Sequence, residues 1–208
     1  MKNTLLFLLF FVGFNLYSQT GSKWQFGIEF SLDYLSNVDF LAIEEQSEFG
    51  YSIDFNKTNF SFGITSSHSL NQGFTISSGI LYSNKDFSGT LDCNDPCEFV
   101  AINSPELLKQ RFINIPMSLV YKISDTTIKP NIEIGINNNI EIKNDVEVES
   151  NSYFLEGFIG VSFLYQFNTN WNIGLGYKYQ TALTNLYKSD KFNLNTSSIV
   201  LNFNYGIK

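Results

Sequence analysis

The sequence predicts an all-β chain: an eight-stranded antiparallel up-and-down transmembrane β-barrel, residues 19–208, behind a cleaved signal peptide at residues 1–18. Three observations predict it. Apolar and polar residues alternate with a period of two through eight segments. The connections between these segments alternate between long and short. Aromatic residues collect near both ends of the apolar face, with aliphatic residues between them. A period of two marks an extended chain whose side chains point to two sides in turn. The other two observations decide which side meets lipid.

MKNTLLFLLFFVGFNLYSQ opens the chain with the positive Lys2, an apolar run from Leu5 to Leu16, and the small Ser18 before a cut expected ahead of Gln19. That order is the pattern of a secretory signal peptide, too short to anchor in a bilayer. After Leu16 no apolar run approaches the ~20 residues of a spanning helix. Charged residues make up 16% of the 208, against roughly a quarter in soluble domains. Aromatics also reach 16%, with 21 Phe and 11 Tyr, and mean hydropathy is -0.06. Low charge, many rings and middling hydropathy suit alternating strands.

WQFGIEFSLDY sets Trp24, Phe26, Ile28, Phe30, Leu32 and Tyr34 on one side. Residues 60 to 70 and 74 to 84 follow with Phe60, Phe62 and Ile64, then Phe74, Ile76, Ile80 and Tyr82. RFINIPMSLVYK carries Ile113, Ile115, Met117, Leu119 and Tyr121, and IKPNIEIGIN carries Ile128, Ile132, Ile134 and Ile136. Residues 153 to 167 carry Tyr153, Leu155, Ile159, Val161, Phe163, Tyr165 and Phe167. WNIGLGYKYQ sets Trp171, Ile173, Leu175, Tyr177 and Tyr179 against Asn172, Gly174, Gly176, Lys178 and Gln180. Ile199, Leu201, Phe203, Tyr205 and Ile207 close the set.

The connections at about 35–58, 85–110, 141–152 and 181–196 are long, and those at 70–73, 124–127 and 168–170 are short and turn-rich. In a meander this places every short turn at one end and every long loop at the other. Outer-membrane barrels have that asymmetry, with short turns in the periplasm and long loops outside; a soluble, lipocalin-like barrel has no reason for it. Trp24, Phe74, Tyr121, Tyr165, Trp171 and Tyr205 fall near the short-turn end of the apolar face, and Tyr34, Phe60, Tyr82, Tyr153 and Tyr179 near the other. Two aromatic belts around an aliphatic band suit a lipid-facing surface, because amphipathic rings favour the headgroup level. The apolar face is therefore expected outside.

The inner face is then expected to hold Glu29, Asp33, Arg111, Lys122, Lys129, Glu133, Glu156 and Lys178, with Gly27, Gly63, Gly79, Gly135, Gly160, Gly174 and Gly176 between them. An eight-stranded barrel is just wide enough for side chains to fill, and enclosed charges must pair. A lumen charge network of Glu29, Asp33, Arg111, Glu133, Glu156 and Lys178 is the expectation.

Chemistry beyond packing has few carriers. Cys93 and Cys97 lie in CNDPC, whose Asn-Asp-Pro is turn-forming, and an exported chain meets oxidising conditions, so a small local disulfide is expected. A thiolate metal site lacks further ligands, and the C-x-x-C spacing of a redox pair is absent. His68, the only histidine, adjoins Ser66, Ser67 and Ser69 but falls on the lipid-facing side beside a short turn, so it reads as an interfacial histidine. Glu44 and Glu45, with Asp39, Glu48 and Asp54, read as a solvated acidic loop surface, with weak calcium binding as the other reading. The chain shows no phosphate loop, dinucleotide fingerprint or nucleophile elbow, and its net charge of -7 argues against nucleic acid. Ser104, Pro105 and Glu106 predict one helical turn on the rim.

LNQGFTISSGILYSNKDF, FINIPMSLVYKI, KPNIEIGI and NWNIGLGYKYQTALTNL resemble the PorT-like family of small outer-membrane β-barrels, over roughly residues 23–207. The resemblance implies the same barrel in the outer membrane and carries over no catalytic residue or cofactor. Some relatives serve protein secretion. The functional expectation is a non-enzymatic barrel in contact with membrane lipid, whose long extracellular loops bind a partner in an envelope or secretion assembly. The other reading is a barrel-embedded enzyme or small-ligand carrier acting at the extracellular rim, around Arg111, Glu156 and Lys178.

Overall fold

The computed structural model describes residues 24–36, 40–42, 49–70, 73–93, 105–124, 126–146, 148–168, 170–188 and 193–207. The signal-peptide segment lies outside them. Twelve strands are described: β1 (Trp24–Ser36), β2 (Phe40–Ala42), β3 (Phe49–Asp54), β4 (Thr58–Ser69), β5 (Phe74–Asn84), β6 (Phe87–Cys93), β7 (Glu106–Leu108), β8 (Gln110–Lys122), β9 (Ile128–Asn144), β10 (Tyr153–Gln166), β11 (Trp171–Ala182) and β12 (Asn195–Ile207).

Eight of these strands close into an antiparallel barrel in the order β1-β12-β11-β10-β9-β8-β5-β4. β1 and β12 seal it over thirteen residue pairs, from Trp24↔Ile207 to Ser36↔Asn195. Closure leaves no unpaired edge, which is what allows strands to stand in hydrocarbon. The alternation resolves as the aromatic belts imply. Ile64, Ile134 and Ile28 are 64%, 60% and 59% exposed on the outer wall, whereas Ser31, Asn131 and Asn137 are buried inside. Apolar faces outward.

Pro116 interrupts this wall. The β5–β8 ladder runs from Phe74↔Tyr121 to Ser78↔Met117 and resumes only at Leu81↔Asn114. Proline has no N–H to give to a ladder. Ser78 Oγ donates to the Pro116 carbonyl at 2.9 Å, and Asn138 Nδ2 donates to Ile115 O at 2.9 Å on the other flank. Side chains thus satisfy carbonyls that the ladder leaves.

The long connections differ from the expectation of plain loops. β2, β3, β6 and β7 form a separate four-stranded sheet in the order β2-β3-β6-β7. Residues 55–57 join β3 to β4, Lys85 and Asp86 join β5 to β6, and Lys109 joins β7 to β8. The sheet is therefore an upward continuation of one side of the barrel, and β9 also runs on to Asn144. Glu106, expected in a helical turn, instead starts β7, which pairs with β6 through Gly89↔Glu106 and Phe87↔Leu108. Pairing to an already formed strand overrides the local signal of Ser-Pro-Glu. Beneath the sheet Leu35, Leu41, Tyr51, Phe87, Leu108, Phe112, Val146, Val148, Phe154, Leu186, Tyr187 and Leu194 form one buried apolar cluster. This cap is built as a soluble domain is built, with its apolar side chains inside.

Candidate functional site: a sealed lumen between a cap and a cup

The inward positions of the barrel are arranged in layers. In the middle layer Lys178 Nζ, from β11, lies 3.2 Å from Glu29 Oε1 and 3.3 Å from Glu29 Oε2, across the lumen on β1. The same ammonium is 3.5 Å from Glu133 Oε2 on β9, and Ser118 Oγ donates to Glu133 Oε1 at 2.6 Å. It also sits 5.2 Å from the centre of the Phe158 ring, a cation–π contact. Phe158 reaches this place by lying over Gly135: a Cβ built on Gly135 would be 2.7 Å from Phe158 Cζ. Leu164 lies likewise over Gly174. Glycine at these inner positions makes room for larger neighbours on the next strand.

The layer above holds a second ion pair that alternation-based reading missed. Lys85 Nζ lies 2.9 Å from Glu156 Oε1, with side chains 4% and 0% exposed. Asn139 Nδ2 donates to Glu156 Oε2 at 2.9 Å and Lys85 donates to Thr196 Oγ1 at 3.4 Å, so the pair ties the β5–β6 junction to β9, β10 and β12. A buried carboxylate stripped of water needs such full pairing. Lys85 has the same parity as Ser83 and Leu81, so continuing the β5 alternation by two residues would have found it. Asp33 stands apart from any cation described here and accepts from Ser31 Oγ at 2.8 Å and Ser61 Oγ at 2.5 Å. Asn137 and Gln180 complete the packing, joined by an amide hydrogen bond of 2.5 Å.

Arg111 is a correction. It was expected in the lumen, but it shares the parity of Ile113 and Met117, while its neighbours Gln110 and Phe112 are the buried ones. Its guanidinium pairs with Asp86 and donates to Gln110 O at 2.9 Å, at the outer rim. Of the expected network, Glu29, Glu133 and Lys178 meet one another, Glu156 meets Lys85, and Asp33 takes hydroxyls.

Other candidates fall away from these layers. His68 pairs with Trp24 across β4–β1, its ring 4.6 Å from the Trp24 ring in the lower aromatic belt. Glu44, Glu45, Asp39 and Glu48 lie outside the described residues, and Asp54 accepts from Asn56 Nδ2 at 2.9 Å. Cys93 ends β6, and Cys97 lies outside the described residues, so the expected disulfide falls outside them too. Among the described residues no group of three His, Cys, Asp or Glu is placed to hold a metal ion.

Above the ion pairs, the apolar cap closes the lumen toward the exterior. Tyr187 Oη donates to Gln110 Oε1 at 2.8 Å in its floor, and Ser150 Oγ reaches Glu141 Oε1 and Oε2 at 2.9 and 2.7 Å. Burial first, and then the nearby Glu141 carboxylate, push the Tyr187 phenol well above its ordinary range. Below the Lys178 layer the lumen opens instead into a polar cup of about 310 Å³ at the short-turn end.

The outer membrane protein β-barrel domain family matches residues 17–204. The chain belongs to that family. No curated protein matches it in sequence. Among solved structures it is similar to Neisserial surface protein A at TM-score 0.57 and 12% identity, covering 89% of this chain and 98% of that one. The outer membrane protein AlkL, determined in DMPC lipid bilayers, is similar at TM-score 0.53 and 12% identity over 93% of this chain and 96% of that one. Ail, the attachment invasion locus protein of Yersinia pestis solved with the heparin analogue sucrose octasulfate, is similar at 0.51 and 13% identity over 90% of this chain and all 100% of the other. At such identities the likeness is one of fold. The protein is a β-barrel of the bacterial outer membrane.

Proposed function

We propose that the barrel is non-enzymatic and holds its cap at the cell exterior as a rigid docking platform for a protein partner in an envelope or secretion assembly. The observation that carries this reading is the cap itself. Connections that could have been loose loops are instead paired into a sheet over a twelve-residue apolar cluster. A surface ordered before binding loses less entropy on association. The cap exterior also shows Leu91 and Leu107, 37% and 44% exposed. The resemblance to PorT-like barrels, some of which serve secretion, supports the same setting. A polyanion of the kind seen with Ail suits this chain poorly, since its net charge is -7.

The rim-enzyme or carrier reading needed Arg111, Glu156 and Lys178 to converge on a cleft. Arg111 is committed to Asp86 at the outer rim, Glu156 to Lys85 in the upper lumen and Lys178 to Glu29 below. That separation favours the platform. The test is photo-crosslinking in intact cells, with the reactive group placed at Leu91, at Leu107, or at Leu175 on the lipid-facing wall. The same discrete adduct from both cap positions and none from Leu175 is the expected result. Equal labelling from all three positions, or none from the cap, overturns the reading.

A further inference from the structure

The surroundings of the Lys85–Glu156 pair hold more than two charges need. We infer that Lys85 and Asn139 join in an isopeptide bond, formed inside the folded barrel with Glu156 as the proton carrier and ammonia as the leaving group.

Lys85, Asn139, Glu156 and Asn114 meet in the upper lumen. Glu156 Oε1 lies 2.9 Å from Lys85 Nζ, and its other oxygen, Oε2, accepts from Asn139 Nδ2 at 2.9 Å. One carboxylate thus touches both the nitrogen that attacks and the nitrogen that leaves. Asn114 Nδ2 donates to Asn139 Oδ1 at 3.1 Å, on the oxygen that takes up negative charge when the amide carbon is attacked. Thr196 Oγ1, 3.4 Å from Lys85 Nζ, holds the same amine from β12. A plain ion pair would require Lys85 and Glu156 alone. Asn114 makes the point more sharply, because its own Oδ1 is buried with no hydrogen-bond partner among the described residues. That cost asks for a reason, and aiming its N–H at Asn139 Oδ1 supplies one.

The walls of the site keep water away. Lys85, Asn114, Asn139 and Glu156 are all buried. The Phe154 ring centre lies 5.7 Å from Lys85 Nζ, and Phe112 sits edge-on to Phe154 at 5.3 Å. Both rings belong to the buried apolar cluster of the cap. An amine and an amide exchange slowly in solution because they must meet in the right orientation, and here the fold holds them together.

The atoms balance. Glu156 takes one proton from the Lys85 ammonium, and the freed amine attacks Asn139 Cγ, sending the carbonyl electron pair to Oδ1. Glu156 passes its proton to Asn139 Nδ2 as the Cγ–Nδ2 bond breaks, and the attacking nitrogen returns its surplus proton to Glu156. The products are one amide between Lys85 and Asn139, one ammonia, and Glu156 carrying the remaining proton. The bond ties the β5–β6 junction to β9 and closes a covalent ring that contains β6, β7 and β8. It stands apart from the platform reading and needs the cap only to exclude water.

The experiment refolds the full mature protein from urea into detergent micelles, digests it at intervals and sequences the peptides by tandem mass spectrometry. The expected product is a branched peptide joining Lys85 to Asn139, lighter than its two arms together by one ammonia. It should accumulate only once the unboiled barrel migrates as folded. Glu156→Gln should slow its formation about a hundredfold or more, and Lys85→Arg should abolish it. If neither variant folds, the unaltered chain still decides. Linear peptides alone from the folded chain overturn the inference, as does a branch from Lys85 to Glu156 lighter by one water. An unslowed reaction in folded Glu156→Gln overturns it equally.

Discussion

The barrel wall and the cap share one chain and, on one side, continuous strand lines, yet they bury opposite things. Along β5 into β6 the inward positions run Thr75, Ser77, Gly79, Leu81, Ser83, Lys85, Phe87 and Gly89. Parity is kept while chemistry turns over: below Lys85 the inside is mostly polar, and from Phe87 upward it is apolar. The solvent on the other side explains the turnover. Lipid takes the apolar residues of the wall and leaves the lumen to polar groups that satisfy one another. Above the membrane water surrounds the chain, and the hydrophobic effect turns apolar groups inward again. The lesson is that one strand can obey both rules, provided the switch falls at the level of the headgroups.

The largest effect that sharpens this comparison is a pair of identical truncations. Phe112→Ala, fully buried in the cap cluster and set edge-on to Phe154 at 5.3 Å, should cost about 3–5 kcal/mol of cap stability. Phe163→Ala, 58% exposed on the wall, should cost clearly less, because acyl chains refill the space. Hydrogen exchange at Phe87 and Leu108, a pair of the cap sheet, reads the first, and urea unfolding in lipid reads the second. Equal losses at both sites would break the distinction.

Charge insertion runs the other way. Ile134→Arg or Leu175→Arg on the wall should cost about 2–4 kcal/mol near the bilayer midplane. Leu107→Arg on the water-facing cap should stay within about 0.5 kcal/mol. Reversible folding into vesicles measures all three.

A smaller effect separates the regions by pH. The Tyr187 phenol is held protonated by burial and by Glu141, so its folded-state pKa lies above the unfolded one. Its contribution is fully present below the ordinary tyrosine value of about 10 and is lost as pH rises past it. The cap should loosen in that alkaline range before the wall does. Tyr187→Phe should remove this step, at the cost of the hydrogen bond to Gln110. Near-ultraviolet dichroism against pH, compared with gel migration of the unboiled barrel, follows the two regions separately.

The smallest effect concerns Cys93 and Cys97. A bridge across CNDPC would close only a short ring, and loop-closure entropy then adds little to global stability. Cys93→Ser with Cys97→Ser should leave the barrel unchanged, and mass spectrometry of the unreduced protein should show the bridge in the natural chain. Two alkylatable thiols would end the idea.

The wall was legible because its signal is local. Each residue from Trp24 to Tyr34 declares its side by its neighbours two away, and the spacing of turns declares which end is which. Gly135 and Gly174 were legible as a narrow lumen, but their use as seats for Phe158 and Leu164 was not. Parity alone places Arg111 with Ile113, and reading it into the lumen put the expectation of enclosed charge ahead of the alternation. Lys85 was missed because it lies just past the end of β5, in a stretch read as a loop, although it keeps the inward parity of that strand.

By itself the sequence determined the barrel, its outward apolar face and the inward facing of Glu29, Glu133 and Lys178, since all three follow from alternation over continuous strands. Tertiary structure alone decided the cap and the cup. The cap depends on Phe49↔Cys93 and Gly89↔Glu106, pairings between distant segments that carry no periodic mark of their own. The cup depends on which lumen layers fill completely, and that is settled by side chains meeting across the barrel from different strands.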